Sequence, residues 1–390
     1  MKKILLGVTG GIAAYKAANF TSLLKKKGYE VKVIMTENAT KIITPLTLET
    51  LSKNVVYVDM WHEKSHYEVE HISLAHWADV VVVLPATYNI VGKIANGIAD
   101  DMLSTVIAAT NKPVFFALAM NVQMYENPIL YENIQKLKKY HYHFIEAAEG
   151  MLACEDIGKG KLEKEEEVIW EIEAYFLSRQ LAGKLEDKKV LITGGPTEEA
   201  IDPIRYISNR SSGKMAYALA KAAVAGGAKV SLISGPTKLQ KPRRLEEFVS
   251  VRGAREMYQE VEKRFEYCDI FVSCSAVADY RPKEYSPIKI KKKEGDLRID
   301  LERNPDILLE MGKRKSHQIL IGFAAETNDI EENANRKLEK KNLDCIVAND
   351  SKTMNQEKNT VSILKKGGNK VEIQEKVKEE LAYDIWKNIL

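Results

Sequence analysis

The sequence predicts an α/β chain built as two doubly wound domains, and three observations predict it. The chain has 390 residues, enough for two cores of ordinary size. "KKILLGVTGGIAAYKAANFTSLLKKKGYEVKVIMT" reads as strand, Gly-Gly turn, helix, glycine stop and strand, and "DKKVLITGGPT" followed by "GKMAYALAKAAVAGGAKVSLISGPT" restarts that pattern. The apolar run in "HWADVVVVLPATYN" also has a counterpart in "EYCDIFVSCSAVADY". Two successive β-α-β units of one style imply two domains, not one long sheet.

In chain order, β-branched runs mark the first strands, and Ala14, Ala17 and Ala18 fall at helical spacing before Gly28. "WADVVVVLPAT" has the continuous apolar character of a central parallel strand covered on both faces. "KLEKEEEVIWEIEAYFLSRQLAGKLEDKK" reads as an amphipathic helix with a charged face ending near Gly183, which sets the domains at 1–182 and 183–390. In the second half, "GGPTEEAIDPIRYISNRSSGKMAYALA" places a long polar, basic loop between a strand and a helix, where open α/β sheets bind ligands. "VSILKKGGNKVEI" reads as a hairpin with a Gly-Gly turn, and "QEKVKEELAYDIWKNIL" as a closing helix.

Apolar residues make up 45% and charged residues 29%, and the net charge is +3. That charge is too small to imply nucleic acid or an anionic membrane as the main partner. "MKKILLGVTGG" imitates a signal peptide, but Gly-Gly cuts its apolar run early. No apolar stretch approaches the ~20 residues of a bilayer span. The four cysteines, Cys154, Cys268, Cys274 and Cys345, form no CxxC, so reduced thiols and a cytoplasmic location are expected.

Several motifs invite sharper readings. "GVTGGIAAYK" is not a GxGxxG fingerprint, and the second strand ends in "VIMT" with no acidic residue, which argues against a nicotinamide cofactor. Its glycines still permit a phosphate to approach a helix N-terminus; a plain tight turn is the alternative. "HEKSH" at 62–66 matches HExxH but lies in a polar stretch without a buried helix, so a chance match explains it better than zinc. "SSGKM" resembles a P-loop fragment without the upstream glycine at Walker spacing. Taken alone, His71 reads as a helix-face residue and Asn121 as a turn or cap asparagine.

Longer motifs are more specific. "GVTGGIAAYK", "HISLAHWAD", "LPATYNIVGKIANGIADDMLST", "AMNVQMYEN" and "ACEDIGKGK" resemble the homo-oligomeric flavin-containing cysteine decarboxylases. "ITGGPTEEAIDPIRYISNRSSGKM", "SCSAVADYRP", "IKIKKK", "NPDIL", "GFAAET" and "KNLDCIVAND" complete a resemblance of nearly the whole chain to the bifunctional coenzyme A biosynthesis flavoproteins, a phosphopantothenoylcysteine decarboxylase fused to a phosphopantothenate–cysteine ligase. Leu118 and Tyr125 depart from the usual proline and tryptophan of the asparagine motif. Glu155 and Lys161 replace the usual glycine and arginine of the cysteine motif.

The resemblance implies a flavodoxin-like first domain and a second Rossmann-like domain with a mostly parallel sheet and a C-terminal hairpin. It implies FMN on Gly10, Gly11 and Ile12, with Thr36, Pro85, Ala86, Thr87, Asn89, Ser104 and Thr105 completing the pocket. His71 would be the base or the group orienting the substrate thiol, Asn121 would hold the substrate carboxylate, and Cys154 would be the proton donor on a glycine-hinged flap. A thiol near its reference pKa of ~8.5 is mostly protonated at neutral pH and can donate. For the ligase the resemblance implies CTP with Mg²⁺, an acyl-cytidylate intermediate, and displacement of the nucleotide by cysteine. Lys289 matches the family's catalytic lysine, and Arg205 and Asn209 its phosphopantothenate-side loop. Asp279, Asn304, Pro305, Asp306, Ile307, Phe323, Lys337 and Lys341 match nucleotide positions, the last two sharing a helix face at i,i+4. No metal ligands are identified. The implied assembly is a homo-oligomer, trimer-based in the decarboxylase and dimeric in the ligase. An FMN-binding module without turnover is the rival reading, and the presence of Cys154, His71 and Asn121 argues against it.

Overall fold

The computed structural model of the chain describes residues 3–61, 69–151, 156–181, 183–292, 297–326, 330–350 and 358–390. Two compact units divide at Glu173/Ala174, and each has its own sheet.

In the first unit the apolar segment Lys3–Val8 forms β1. Gly10 and Gly11 lead through a 3₁₀ turn, Ile12–Tyr15, into α1 (Lys16–Lys26). Next come β2 (Glu30–Met35), α2 (Glu37–Thr40), α3 (Pro45–Ser52) and the two-residue β3 (Val56–Tyr57). After α4 (Glu70–Trp77), every residue of β4 (Val80–Ala86) is buried, as the continuous apolar run requires. The winding continues with α5 (Tyr88–Ala95), α6 (Met102–Ala109), β5 (Val114–Leu118), α7 (Val122–Tyr125), α8 (Pro128–Lys139) and β6 (His143–Ile145). All six strands run parallel in the order β3-β2-β1-β4-β5-β6. With the stub β3 set aside, this is the flavodoxin-like order. The winding reverses between β1 and β4, so the loops leaving those two strands part and open a crevice. An antiparallel pair, β7 (Ala148–Met151) and β8 (Ile157–Lys161), and then α9 (Glu165–Ser178) follow.

The second unit begins with β9 (Lys189–Gly194). The loop expected after it is a small antiparallel hairpin, β10 (Glu198–Ala200) and β11 (Tyr206–Ser208), with residues 201–205 at its tip. Then come α10 (Lys214–Ala225), β12 (Lys229–Ser234), β13 (Glu247–Ser250), α11 (Ala254–Phe265) and β14 (Ile270–Ser273). A second short pair, β15 (Tyr280–Pro282) and β16 (Leu301–Arg303), precedes α12 (Ile307–Arg314), β17 (Ile319–Glu326), α13 (Ile330–Lys340) and β18 (Cys345–Asp350). The chain finishes with β19 (Lys358–Lys365), β20 (Lys370–Val377) and α14 (Lys378–Ile389). The sheet order is β13-β12-β9-β14-β17-β18-β19-β20, parallel up to β18 and antiparallel across the final hairpin. "QEKV", expected in the closing helix, belongs to β20 instead. Strand alternation splits the core cleanly. Val190, Ile192 and Val272 face α10 and α14, while Leu191 and Phe271 face the side of α11 and α12. The switch point lies between β9 and β14.

Candidate active sites

In the first unit, the crevice at the carboxyl ends of β1, β2, β4 and β5 holds a cavity of about 1040 Å³. Of the expected cofactor residues, Gly10, Gly11, Ile12, Thr36, Thr87 and Asn89 line it. The backbone comes close here because there is no side chain. A Cβ on Gly10 would stand 2.4 Å from the Asn38 Cβ, and one on Gly11 would stand 3.1 Å from the Thr87 Cγ2. The Thr9 hydroxyl donates to the Pro85 carbonyl oxygen (2.7 Å) and lies 3.3 Å from Thr87 Oγ1, tying the β1 loop to the β4 loop. Thr36 and Thr87 cap α2 and α5.

Pro85, Ala86, Ser104 and Thr105 do not line the cavity but support it. The Ala86 carbonyl accepts from the Ala119 N–H (3.1 Å) at the cavity's far wall. Ser104 is fully buried in a capping box with Asp101, and Thr105 Oγ1 donates to the Ala99 carbonyl (3.4 Å). Asp101 and Lys93 do line the cavity, and the sequence reading had not singled them out. Lys93 Nζ meets Asp100 (2.6 Å) and Asp101 (2.9 Å). Burial alone would push the Asp101 carboxyl up, but the Ser104 N–H and hydroxyl and the Lys93 ammonium outweigh it and hold it below the usual range. Burial would lower Lys93, yet its two carboxylates hold it above the usual lysine value. The signal for Lys93 was its place four residues after Asn89, on the same face of α5.

Asn121 also lines the cavity. Its Oδ1 caps α7 by accepting from the Gln123 N–H (2.8 Å), and its Nδ2 donates to Asp156 Oδ2 (2.9 Å). The Met120 N–H donates to the Gly160 carbonyl (3.0 Å), which ties the asparagine loop to β8. A Cβ on Gly158 would lie 3.0 Å from Val122 Cγ2, so the glycine lets β8 rest against α7. Lys161, the departure from arginine, lines the cavity, and Tyr125 stands under Lys159 Nζ at 5.5 Å. His71, half-buried on α4, is not among the residues lining the cavity. Cys154, Glu155 and the 62–66 histidine motif lie outside the described residues.

The glycine cradle, the strand-end position and the volume fit a flavin mononucleotide, with a phosphate at the Gly10-Gly11 turn.

In the second unit a cavity of about 400 Å³ opens at the carboxyl ends of β14, β17 and β18, against the N-terminus of α10. Asn209 and Phe323 line it, and Asn209 Nδ2 donates to the Val277 carbonyl (2.9 Å). Arg210, Lys214 and Lys378 line it too, and no described lining residue is acidic. Lys378, in the first turn of α14, is 4% exposed; burial first, then the Lys214 charge, pull its ammonium below the usual value. Nothing in "EKVKEE" marked which lysine would be buried.

The other expected ligase residues lie outside that lining. Asn304 is well held: its N–H donates to the Asp279 carbonyl (2.8 Å), its Nδ2 to the Ala278 carbonyl (2.8 Å), and its Oδ1 accepts from Arg281 (2.8 Å). Asp279 itself is exposed, Pro305 half-buried and Ile307 buried. Asp306 caps α12 and pairs with Lys341 at 2.8 Å. Lys337 is half-buried on α13, and Lys341, the first residue after that helix, still donates its N–H to the Lys337 carbonyl (3.0 Å). Lys289 is exposed, and Arg205 reaches the loop that carries it. Among the described residues, no group of three His, Cys, Asp or Glu is placed to hold a metal ion. No helix there is long and apolar enough to cross a membrane.

Comparison with known proteins covers both units. The family model described as Flavoprotein matches residues 1–177, and that described as DNA/pantothenate metabolism flavoprotein C-terminal domain matches residues 185–390. The chain is 47% identical over 392 residues to the coenzyme A biosynthesis bifunctional protein CoaBC of Bacillus subtilis, covering 100% of this chain and 96% of the relative. It is 48% identical over 389 residues to the protein of the same name from Borreliella burgdorferi, covering 99% and 98%. A crystal structure of the C-terminal domain of a CoaBC protein is 43% identical, with a TM-score of 0.47, covering 53% of this chain and 96% of that one.

Proposed function

The chain belongs to the family of coenzyme A biosynthesis bifunctional proteins, and on that premise we propose that each unit carries one of its two reactions. The second unit joins phosphopantothenate to cysteine with CTP, and the first decarboxylates the resulting phosphopantothenoylcysteine to phosphopantetheine. The observation that carries the reading is the first unit's strand-end cavity, which sets the glycine cradle and Asn121 around one space.

FMN, when bound there, supplies a hydride acceptor and later a hydride donor, chemistry that side chains lack. Gly10, Gly11 and Ile12 would hold its phosphate, with Thr36, Thr87 and Asn89 around it. Asn121 presents its amide to the substrate carboxylate, and substrate takes the place that Asp156 holds against Nδ2. His71 orients the substrate thiol. Because His71 does not line its own chain's cavity, a neighbouring copy supplies it, which suits a trimer-based assembly. Cys154 donates the proton that completes the product.

In the ligase, Lys289 stabilises charge as cysteine displaces the nucleotide, and Arg210, Lys214 and Lys378 give the cavity a field suited to phosphate. CTP brings Mg²⁺ with it, and no protein ligand set is assigned to the ion. The protein works in the cytoplasm, where reduced thiols such as the buried, unpaired Cys268 and Cys345 persist.

Purified protein should carry a flavin spectrum and, given CTP, phosphopantothenate and cysteine, should release pyrophosphate, form the amide and then release CO₂. Amide without CO₂ would leave a ligase joined to an inactive flavin module; no amide would remove the ligase reading. Cys154→Ser should lose about 10²–10⁴-fold in turnover, release CO₂ once per bound flavin and accumulate the unsaturated thiol that still awaits the proton and the returning hydride. Wild-type turnover in that variant would make the thiol a bystander.

A further inference from the structure

Lys289 is held from its backbone neighbours. Residues 201–205, at the tip of the β10–β11 hairpin, meet the loop that leaves β15. The Ser286 N–H donates to the Ile201 carbonyl (3.0 Å). Beyond the lysine, the Ile290 N–H donates to Asp202 Oδ2 (3.1 Å), and the Ile290 carbonyl accepts from Arg205 Nη2. Arg205 Nε lies 3.1 Å from that same Asp202 oxygen. Asp202 Oδ1 accepts the N–H groups of Ile204 and Arg205, both at 2.8 Å. One carboxylate and one guanidinium thus grip both backbone groups of the residue next to Lys289.

The division of labour within Asp202 is informative. Its Oδ1 closes the hairpin tip together with the Ile201 and Asp202 N–H groups, which donate to the Arg205 carbonyl. Its Oδ2 instead reaches a backbone group 88 residues away in sequence. Asp202 is 2% exposed, whereas Lys289 and the preceding Pro287 and Ile288 are exposed. A long lysine on such a loop samples many positions, and displacing a reacting group by about 1 Å can cost about 10²-fold in rate. Charge stabilisation by Lys289 therefore needs its backbone fixed from outside.

Resting on the ligase reading, we infer that Asp202 and Arg205 form a clamp on Ile290 that positions Lys289 for the amide-forming step. Asp202 is a positioning residue and touches neither substrate. Arg205, expected beside phosphopantothenate, has this task in the geometry.

The test uses the full chain with Asp202→Asn, which cannot accept the Ile290 N–H through its amide nitrogen, and Asp202→Glu, which keeps the charge beside Arg205 but moves the carboxylate by one methylene. Hydrogen exchange over 286–292 should speed up in both variants without change in the sheet. Pyrophosphate release in a single turnover should stay near wild type, while conversion of acyl-cytidylate to amide falls about tenfold or more. That split is one a merely structural role would not produce. The clamp is overturned if both half-reactions fall together, or if exchange speeds up and amide formation does not change. It is equally overturned if neither measurement moves. Should Asp202→Asn fail to fold, Asp202→Glu decides alone. Should wild type form no amide from CTP, the ligase reading fails, while the exchange measurement still decides whether the clamp exists.

Discussion

Asp101 joins stability to the flavin cavity at a single side chain. It caps α6 through the Ser104 N–H (2.8 Å) and holds Lys93 at the cavity wall. Asp101→Ala should cost about 1 kcal/mol, the usual worth of such a cap, read as a lower melting midpoint. The pH dependence has a definite sign. The folded carboxyl lies below its ordinary value, so its contribution is present above the unfolded carboxylate pKa of ~3.9 and is lost as pH falls through the depressed folded value. The gap between wild type and Asp101→Asn should therefore close in acid; a gap that persists there would contradict the assignment. Residue identities were legible where a motif fixed them, and roles were less so. Thr36, Thr87 and Asn121 were expected as ligand contacts, and each also caps a short helix. Caps and polar ligand contacts draw on the same residue types, so sequence cannot divide the two tasks. Lys378 was hidden for a different reason: burial of one lysine in a charged run is decided by tertiary packing.

At the scale of elements, two glycines decide how closely the loops after β9 and β12 meet in the second unit. A Cβ on Gly235 would stand 1.7 Å from the Pro196 carbonyl oxygen, and Gly213, at φ +74°, would press on Thr237. The Gly235 contact cannot relax without moving backbone, whereas the one at Gly213 meets a side chain. Gly235→Ala should cost about 3 kcal/mol. Gly367→Ala, in the hairpin turn at φ +102° with nothing within 4 Å, should cost only about 1 kcal/mol of backbone strain. Chemical denaturation of both variants checks this ranking, and equal losses would refute it. The Gly-Gly signals were legible as turns, but not the distance of the opposing loop. The β10–β11 hairpin went unread because strands of three residues show no alternation worth counting. The helical turn that carries Lys337 and Lys341 stops at Asn342, at φ +52°, a choice that asparagine allows and sequence does not announce.

At the scale of the molecule, the repeated strand–turn–helix–strand pattern was enough to foresee two sheets, since each unit satisfies its own strands. Where one unit yields to the next was harder, because a continuous helix, α9, runs across the division. Residues 1–182 alone should bind flavin and decarboxylate, and residues 184–390 should make the amide; a colourless or insoluble N-terminal fragment would argue against separable units. The final hairpin and α14 carry a consequence for biosynthesis. Trp386, wholly buried, donates from Nε1 to the Leu219 carbonyl at 3.0 Å across 167 residues. A growing chain therefore leaves the part of α10 that α14 covers exposed until residue 386 is synthesised. The first unit, whose core elements all precede residue 174, matures well before that. A ribosome stalled past β12 thus displays a finished flavoprotein tethered to an open sheet, and chaperones guarding this nascent chain should gather on its second half.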